Sequence, residues 1–170
     1  WHLYLNDNEL TGEIPVEICN IGYSNNIGYS KLDNNKLCPP YPECLSEEDI
    51  GYQDTSECPI DYCLGLMEGA NLISFYAFPE DVSIIHIMSS VEGNATGVIG
   101  EGVAASYSDG AWQGSLSNMS PLSGYWVIVN ETASLCLEGA MRTEPSITYS
   151  ILEGANLVSF PSEGSVSIGD

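Results

Sequence analysis

Six cysteines, two histidines, a glycine run and a large excess of carboxylates are the residues of this chain whose types could do chemistry. The cysteines stand at 19, 38, 44, 58, 63 and 136, and five of them crowd between residues 19 and 63. An even number so arranged predicts a disulfide cluster formed in an oxidising compartment. A zinc site would need two Cys-x-x-Cys pairs or a matched Cys/His set; the irregular spacing offers neither, so no metal ligand is assigned. Nucleophilic catalysis requires a base within hydrogen-bond reach of the nucleophile. Only His2 and His86 are available as imidazole bases. His2 lies in a strand-like run, and His86, set among Ile84, Ile85, Ile87 and Met88, reads as a packing residue. Gly97, Gly100 and Gly102 lack the Gly-x-Gly-x-x-Gly order and any lysine, which makes them a bent strand and not a phosphate loop. No catalytic residue is assigned, and the chain is expected not to be an enzyme.

Charge narrows the partners. Twenty-four Asp and Glu face three Lys and Arg, a formal net charge of −21. Lys31, Lys36 and Arg142 cannot supply the basic footprint that nucleic acid requires. The acids serve solubility in an extracellular medium, with structural calcium the one candidate cofactor, although no Asp-x-Asp-x-Asp-Gly loop is present. Glycoside hydrolysis needs one carboxylate pair, and none stands out among so many. Trp112, Tyr125 and Trp126 would make a sugar-binding platform. Strand alternation, however, puts at least one of Tyr125 and Trp126 in the core, and Trp126 is assigned there. Asn94, Asn118 and Asn130 open Asn-x-Ser/Thr sequons; these would be glycan sites in a eukaryotic secreted protein and are turn-prone asparagines in a bacterial one.

The elements that must position these groups are announced by repeats. Leu3-Tyr4-Leu5-Asn6-Asp7-Asn8-Glu9-Leu10 returns 27 residues later as Ser30-Lys31-Leu32-Asp33-Asn34-Asn35-Lys36-Leu37. In this frame a short strand turns Leu5 or Leu32 inward, and an asparagine side chain satisfies backbone groups where the chain leaves the strand. Thr11-Gly12-Glu13-Ile14-Pro15-Val16-Glu17-Ile18 follows the first copy. Together these residues resemble the plant-type leucine-rich repeat, a form also met in bacterial surface proteins, over residues 1 to about 37. The resemblance implies a solenoid whose concave face carries Tyr4, Asn6, Asp7, Lys31, Asp33 and Asn34. It also implies that Cys38-Pro39-Pro40-Tyr41-Pro42-Glu43-Cys44 closes the stack as a cysteine-flanked cap, with Cys38 bonded to Cys44. The other four, Cys19, Cys58, Cys63 and Cys136, then have three pairings, among which the sequence does not choose.

Residues 46–65 read as an acidic, cysteine-containing linker in which Ser46 caps a short helix. Beyond it Glu68-Gly69-Ala70-Asn71-Leu72-Ile73-Ser74-Phe75 returns 85 residues later as Glu153-Gly154-Ala155-Asn156-Leu157-Val158-Ser159-Phe160, and Val82-Ser83-Ile84 as Val166-Ser167-Ile168. Between the copies we expect a strand over 71–77, a short helix after Pro79, a bent strand over 96–107 and a turn at Asp109-Gly110. An extended piece over 112–116 and strands over 124–129 and 133–137 complete the module. The Gly-Ala-Asn-Leu-Ile-Ser opening and the late Ser-Gly-Tyr-Trp-Val-Ile-Val resemble small modules repeated in bacterial and archaeal surface proteins, with Ala70 where an aromatic usually stands.

The expected organisation is mostly β. A leucine-rich-repeat solenoid end with its cap occupies 1–45, the linker 46–65, a β-rich module with one short helix 66–146, and the start of a second copy 147–170. No run approaches the roughly 18 apolar residues of a membrane span, and the opening at Trp1, inside a repeat, reads as part of something longer. The expected function is recognition, adhesion or surface architecture by a secreted or cell-surface protein that meets a protein or glycan. Two rivals stand beside it: an extracellular filament or surface layer self-associating by strand donation, and the accessory region of a secreted hydrolase.

Overall fold

Short apolar runs punctuated by glycine, proline and Asx turns give this chain short strands and one-turn helices. The computed structural model describes residues 2–21, 29–143, 146–160 and 162–163; Trp1 and the Val166-Ser167-Ile168 repeat lie outside them. The chain divides into two units, residues 1–59 and 60–170.

In the first unit β1 (His2–Tyr4), β2 (Thr11–Glu13), β3 (Tyr29–Lys31) and β4 (Lys36–Cys38) pair in parallel, β1 with β3 and β2 with β4. Helix α1 (Glu47–Ile50) begins at Ser46, whose hydroxyl accepts from the Asp49 amide at 3.2 Å while the Asp49 carboxylate accepts from the Ser46 amide at 3.0 Å. This is a complete capping box. The segment after α1 runs beside β3 and the turn that follows it. Leu32 N–H donates to Asp49 O at 2.9 Å, Asn34 N–H to Tyr52 O at 2.8 Å and Asp54 N–H to Asn35 O at 2.8 Å. Ile14, Leu32, Leu37, Leu45 and Ile50 form the small core.

The leucine-rich-repeat solenoid expected here is not what the chain forms. Among the described residues parallel pairing amounts to two ladders, each two strands wide and three residues long, and one isolated bridge between Asn35 and Gln53; the third rung is a helix and an irregular segment. Two copies of the frame give each strand one neighbour, short of the three or more that a stack of coils requires. The cap differs as well. The disulfides are Cys19–Cys44 and Cys38–Cys58, not Cys38–Cys44, because residues 49–54 fold back along 32–35 and lead Cys58 to the end of β4.

The second unit is antiparallel throughout its sheets. Its strands are β5 (Ile60–Leu66), β6 (Gly69–Ile73), β7 (Ala77–Phe78), β8 (Ala95–Gly100), β9 (Val103–Ser108), β10 (Ala111–Gly114), β11 (Tyr125–Val129) and β12 (Ala133–Arg142), with helix α2 (Ile84–Ile87) between β7 and β8. They form a five-stranded sheet of order β10-β9-β8-β11-β6 and a three-stranded sheet of order β5-β12-β7. Nineteen buried residues from both sheets, α2 and the segments between them make one cluster, with Phe75 edge-on to Phe78 at 5.0 Å. The third disulfide, Cys63–Cys136, joins directly opposed residues of β5 and β12. The bent strand expected over 96–107 is a hairpin, because Gly102 at φ +71° supplies a turn between β8 and β9. At the next turn Asp109 and Gly110 both take positive φ, 52° and 77°, which is the two-residue turn that matches strand twist.

The second repeat is real in conformation. Asn71 Oδ1 accepts from Met67 N–H at 2.9 Å and its amide donates to Met67 O at 2.8 Å and Gly69 O at 3.1 Å. Asn156 makes the same three bonds to Leu152 and Gly154, at 2.9, 2.9 and 3.1 Å. After that shared turn the copies part. Residues 69–73 become β6, whereas Val158 makes a single bridge to Ser123.

Candidate functional site

The six residues assigned to a concave face lie together on the β1·β3 ladder and the turns that follow. Tyr4 sits opposite Lys31 in register. Asp7 and Asn34, both at positive φ (57° and 58°), face each other, and the Asn34 amide donates to Asp7 Oδ1 at 2.8 Å. Asn6 donates to Asp7 Oδ2, and Asp33 Oδ2 stands 3.4 Å from the Asn34 amide. Asn6, Asp7, Asp33 and Asn34 therefore bond to one another. Among the described residues no group of three or more His, Cys, Asp or Glu gathers as a metal ion would need.

The aromatic platform is dispersed over three environments. Tyr125 is 3% exposed, and its hydroxyl accepts from the Ser120 amide at 2.8 Å. Gly100 makes room for its ring, since a Cβ there would lie 2.9 Å from Tyr125 Cε1. Trp112 packs edge-on to Tyr107 at 5.3 Å in a cleft of about 150 Å³ that Ile85, Met88 and Glu92 help line. The Tyr107 hydroxyl donates to Glu92 Oε1 at 2.7 Å, a bond that raises its pKa above the usual tyrosine value. Trp126, assigned to the core, is instead 39% exposed. Alternation along β11 works as expected but with the opposite phase, burying Tyr125, Val127 and Val129.

That phase creates the most distinctive surface of the second unit. Across the outer face of the five-stranded sheet, Trp126 stands opposite Leu72 on β6 and Ile99 on β8, and Ile99 opposite Ala104 on β9. Leu72 is 57% exposed and Ile99 43%. In the adjoining row Ile128 lies between Ala70 and Gly97, and a Cβ on Gly97 would touch the Ile128 side chain at 3.5 Å. Directly opposed side chains on one face stand roughly 4.5–5.5 Å apart at Cβ, so these rows are continuous. Sequence reasoning missed Leu72, Ile99 and Ile128. The available signal was Tyr125–Val129 itself, five apolar residues without alternation, the pattern of a strand apolar on both faces.

His86 is exposed, correcting its assignment as a packing residue, because α2 turns Ile84 and Ile87 inward and leaves Ile85 and His86 outside. It borders a groove lined by Glu80, Asp81 and Glu138, in which a hydrogen bond from the Ser83 amide holds the Asp81 carboxyl below its ordinary pKa. Of the sequon asparagines, Asn118 and Asn130 are exposed. Asn94 is committed internally: its amide donates to Glu131 O at 3.0 Å and its oxygen accepts from the amides of Asn130 and Glu131, each at 3.0 Å. A glycan on that nitrogen would disrupt the β11–β12 turn.

All six sulfurs are paired, and among the described residues no helix is long and apolar enough to cross a membrane. No protein family, no curated protein and no solved structure matches this chain, so neither resemblance read from the sequence carries a family assignment.

Proposed function

We propose that this is a secreted or cell-surface protein that acts in recognition or adhesion without catalysing a reaction, and that its binding surface is the outer face of the five-stranded sheet. The observation that carries the reading is the open row Leu72, Trp126, Ile99 on a rigid sheet, since contiguous exposed apolar surface bounded by polar residues marks interaction sites. Three disulfides fit an oxidising, extracellular setting. Purified protein should be retained on the envelope of the cells that produce it. Trp126→Ser should lower that retention about tenfold with the unfolding midpoint nearly unmoved. Equal retention of the two proteins, or free thiols in protein recovered from the cells, would sink the proposal.

A second reading, assembly by strand donation, is favoured by one observation: β6 is an edge strand, and residues 153–158 repeat its sequence and its entry turn. Sedimentation at high concentration tests it, a monomer with residues 153–158 protected from hydrogen exchange being the contrary result.

A further inference from the structure

Resting on the reading of the outer sheet face as a binding surface, we infer that its partner is a basic protein segment, an extended run in which aliphatic or aromatic anchors alternate with lysine or arginine. The anchors have a defined seat. Leu72, Trp126 and Ile99 line up across three adjacent strands, and Ala70, Ile128 and Gly97 make a lower second row where Gly97 offers no side chain. An aromatic flanked by aliphatics is the composition of an interface centre, where a few residues supply most of the affinity.

The charge around that seat has one sign. Residues 60–143 contain nine carboxylates against one arginine, Arg142, at the end of β12 in the other sheet. Glu68, Glu101, Asp109 and Glu131, all exposed, occupy the ends and turns of the strands that form this sheet. An apolar centre within an acidic surround selects cations at its rim, speeds encounter with a basic partner and repels acidic ones. The same field opposes a second copy of this chain, whose formal charge is −21.

The test uses the full oxidised chain, its Trp126 indole resonance, and three synthetic peptides of equal length: alternating lysine–leucine, glutamate–leucine and lysine–serine. The lysine–leucine peptide should shift the Trp126 indole and the amides of residues 70–72, 97–99 and 126–128. Binding should weaken about tenfold in Trp126→Ser and in Leu72→Ser, and by a similar factor between low and high salt. If lysine–leucine and glutamate–leucine bind this face alike, the basic partner is wrong while the binding surface stands. If lysine–leucine and lysine–serine act alike and the indole is silent, the surface fails as well. A cello-oligosaccharide that shifts the indole where lysine–leucine does not, or a dimer that Trp126→Ser dissociates, assigns the face to a glycan or to a second copy and overturns the inference.

Discussion

Among the described residues, five buried aliphatic side chains hold residues 1–59 together, whereas nineteen buried apolar residues form one cluster in residues 60–143. The smaller unit makes up the difference with two of the three disulfides and with a ladder of side-chain amides. Asn35, only 3% exposed, donates to Leu5 O at 2.8 Å and Leu32 O at 2.7 Å and accepts from Leu10 N–H at 3.1 Å. Gln53 repeats the arrangement one rung on, donating to Leu32 O and Ile50 O at 2.8 and 2.7 Å and accepting from Leu37 N–H at 3.1 Å. Small folds with little apolar surface to bury depend on covalent closure. One chain thus uses both solutions: polar and cross-linked in one unit, apolar and antiparallel in the other.

Reduction separates the two units by chemistry. Cys19–Cys44 and Cys38–Cys58 span 25 and 20 residues, and each closure is worth about 3 kcal/mol in the chain-entropy account. A reductant also opens Cys63–Cys136, which spans 73 residues and is worth about 4 kcal/mol in the same account. Residues 60–143 nevertheless keep a cluster of nineteen buried residues against five, so residues 1–59 should unfold at a lower reductant or denaturant concentration. Hydrogen exchange reads this directly, with protection lost at the Leu32 and Asn34 amides and kept at Val98 and Val127. Uniform loss would erase the distinction. The converse perturbation is Phe75→Ala, which empties a fully buried site beside Phe78 and Tyr125. It should cost about 3–5 kcal/mol in the denaturant transition of residues 60–143 without moving that of residues 1–59.

The amide ladder gives a smaller and more local effect. Asn35→Ala leaves the partly buried Leu10 amide without its acceptor, while Leu5 O and Leu32 O keep the donors Asn8 and Gln53, and should cost about 1–3 kcal/mol. Asn8→Ala removes two local bonds, to Leu5 O and Asn6 O, from an exposed side chain, so its cost should fall within about 0.5 kcal/mol. If the two variants lose equal stability, burial is not what makes the ladder matter.

The ladder also shows how much the sequence disclosed. The leucine and asparagine frame told correctly that asparagine bonds the backbone where the chain turns, because that is a local consequence of residue type and spacing. It did not tell how many rungs would form, nor that Gln53, outside the frame, would supply the next amide. The cysteine count predicted bonding but not partners, since pairing depends on residues 49–54 returning along 32–35. The sheet of the second unit was legible as strands and turns wherever glycine and Asx residues marked the ends. Strand β5 was lost to its acidic flanks, and the phase of β11 was unreadable because all five of its residues are apolar.

The smallest effect concerns the one carboxylate that ties α1 to the strands. Asp49 Oδ1 accepts from the Ser30 amide at 3.0 Å, and Oδ2 accepts from the Ser46 amide at 3.0 Å and the Ser46 hydroxyl at 2.6 Å. These bonds, the Ser46 hydroxyl first, hold its pKa below the ordinary aspartate value. A depressed pKa means that the folded state binds the proton less readily than the unfolded chain does. The stabilisation is thus complete above the unfolded value, about pH 4, and drains away as pH falls through the lower folded value. Asp49→Ala should cost about 1 kcal/mol at neutral pH, the ordinary net worth of a side-chain hydrogen bond, and the difference from the parent protein should shrink below about pH 4. The Leu32 amide, which donates to Asp49 O, is the place to read it. Faster exchange there in the variant at pH 7, converging with the parent in acid, is the expected pattern, and a constant offset at every pH would mean that the carboxylate's charge contributes nothing to the joint.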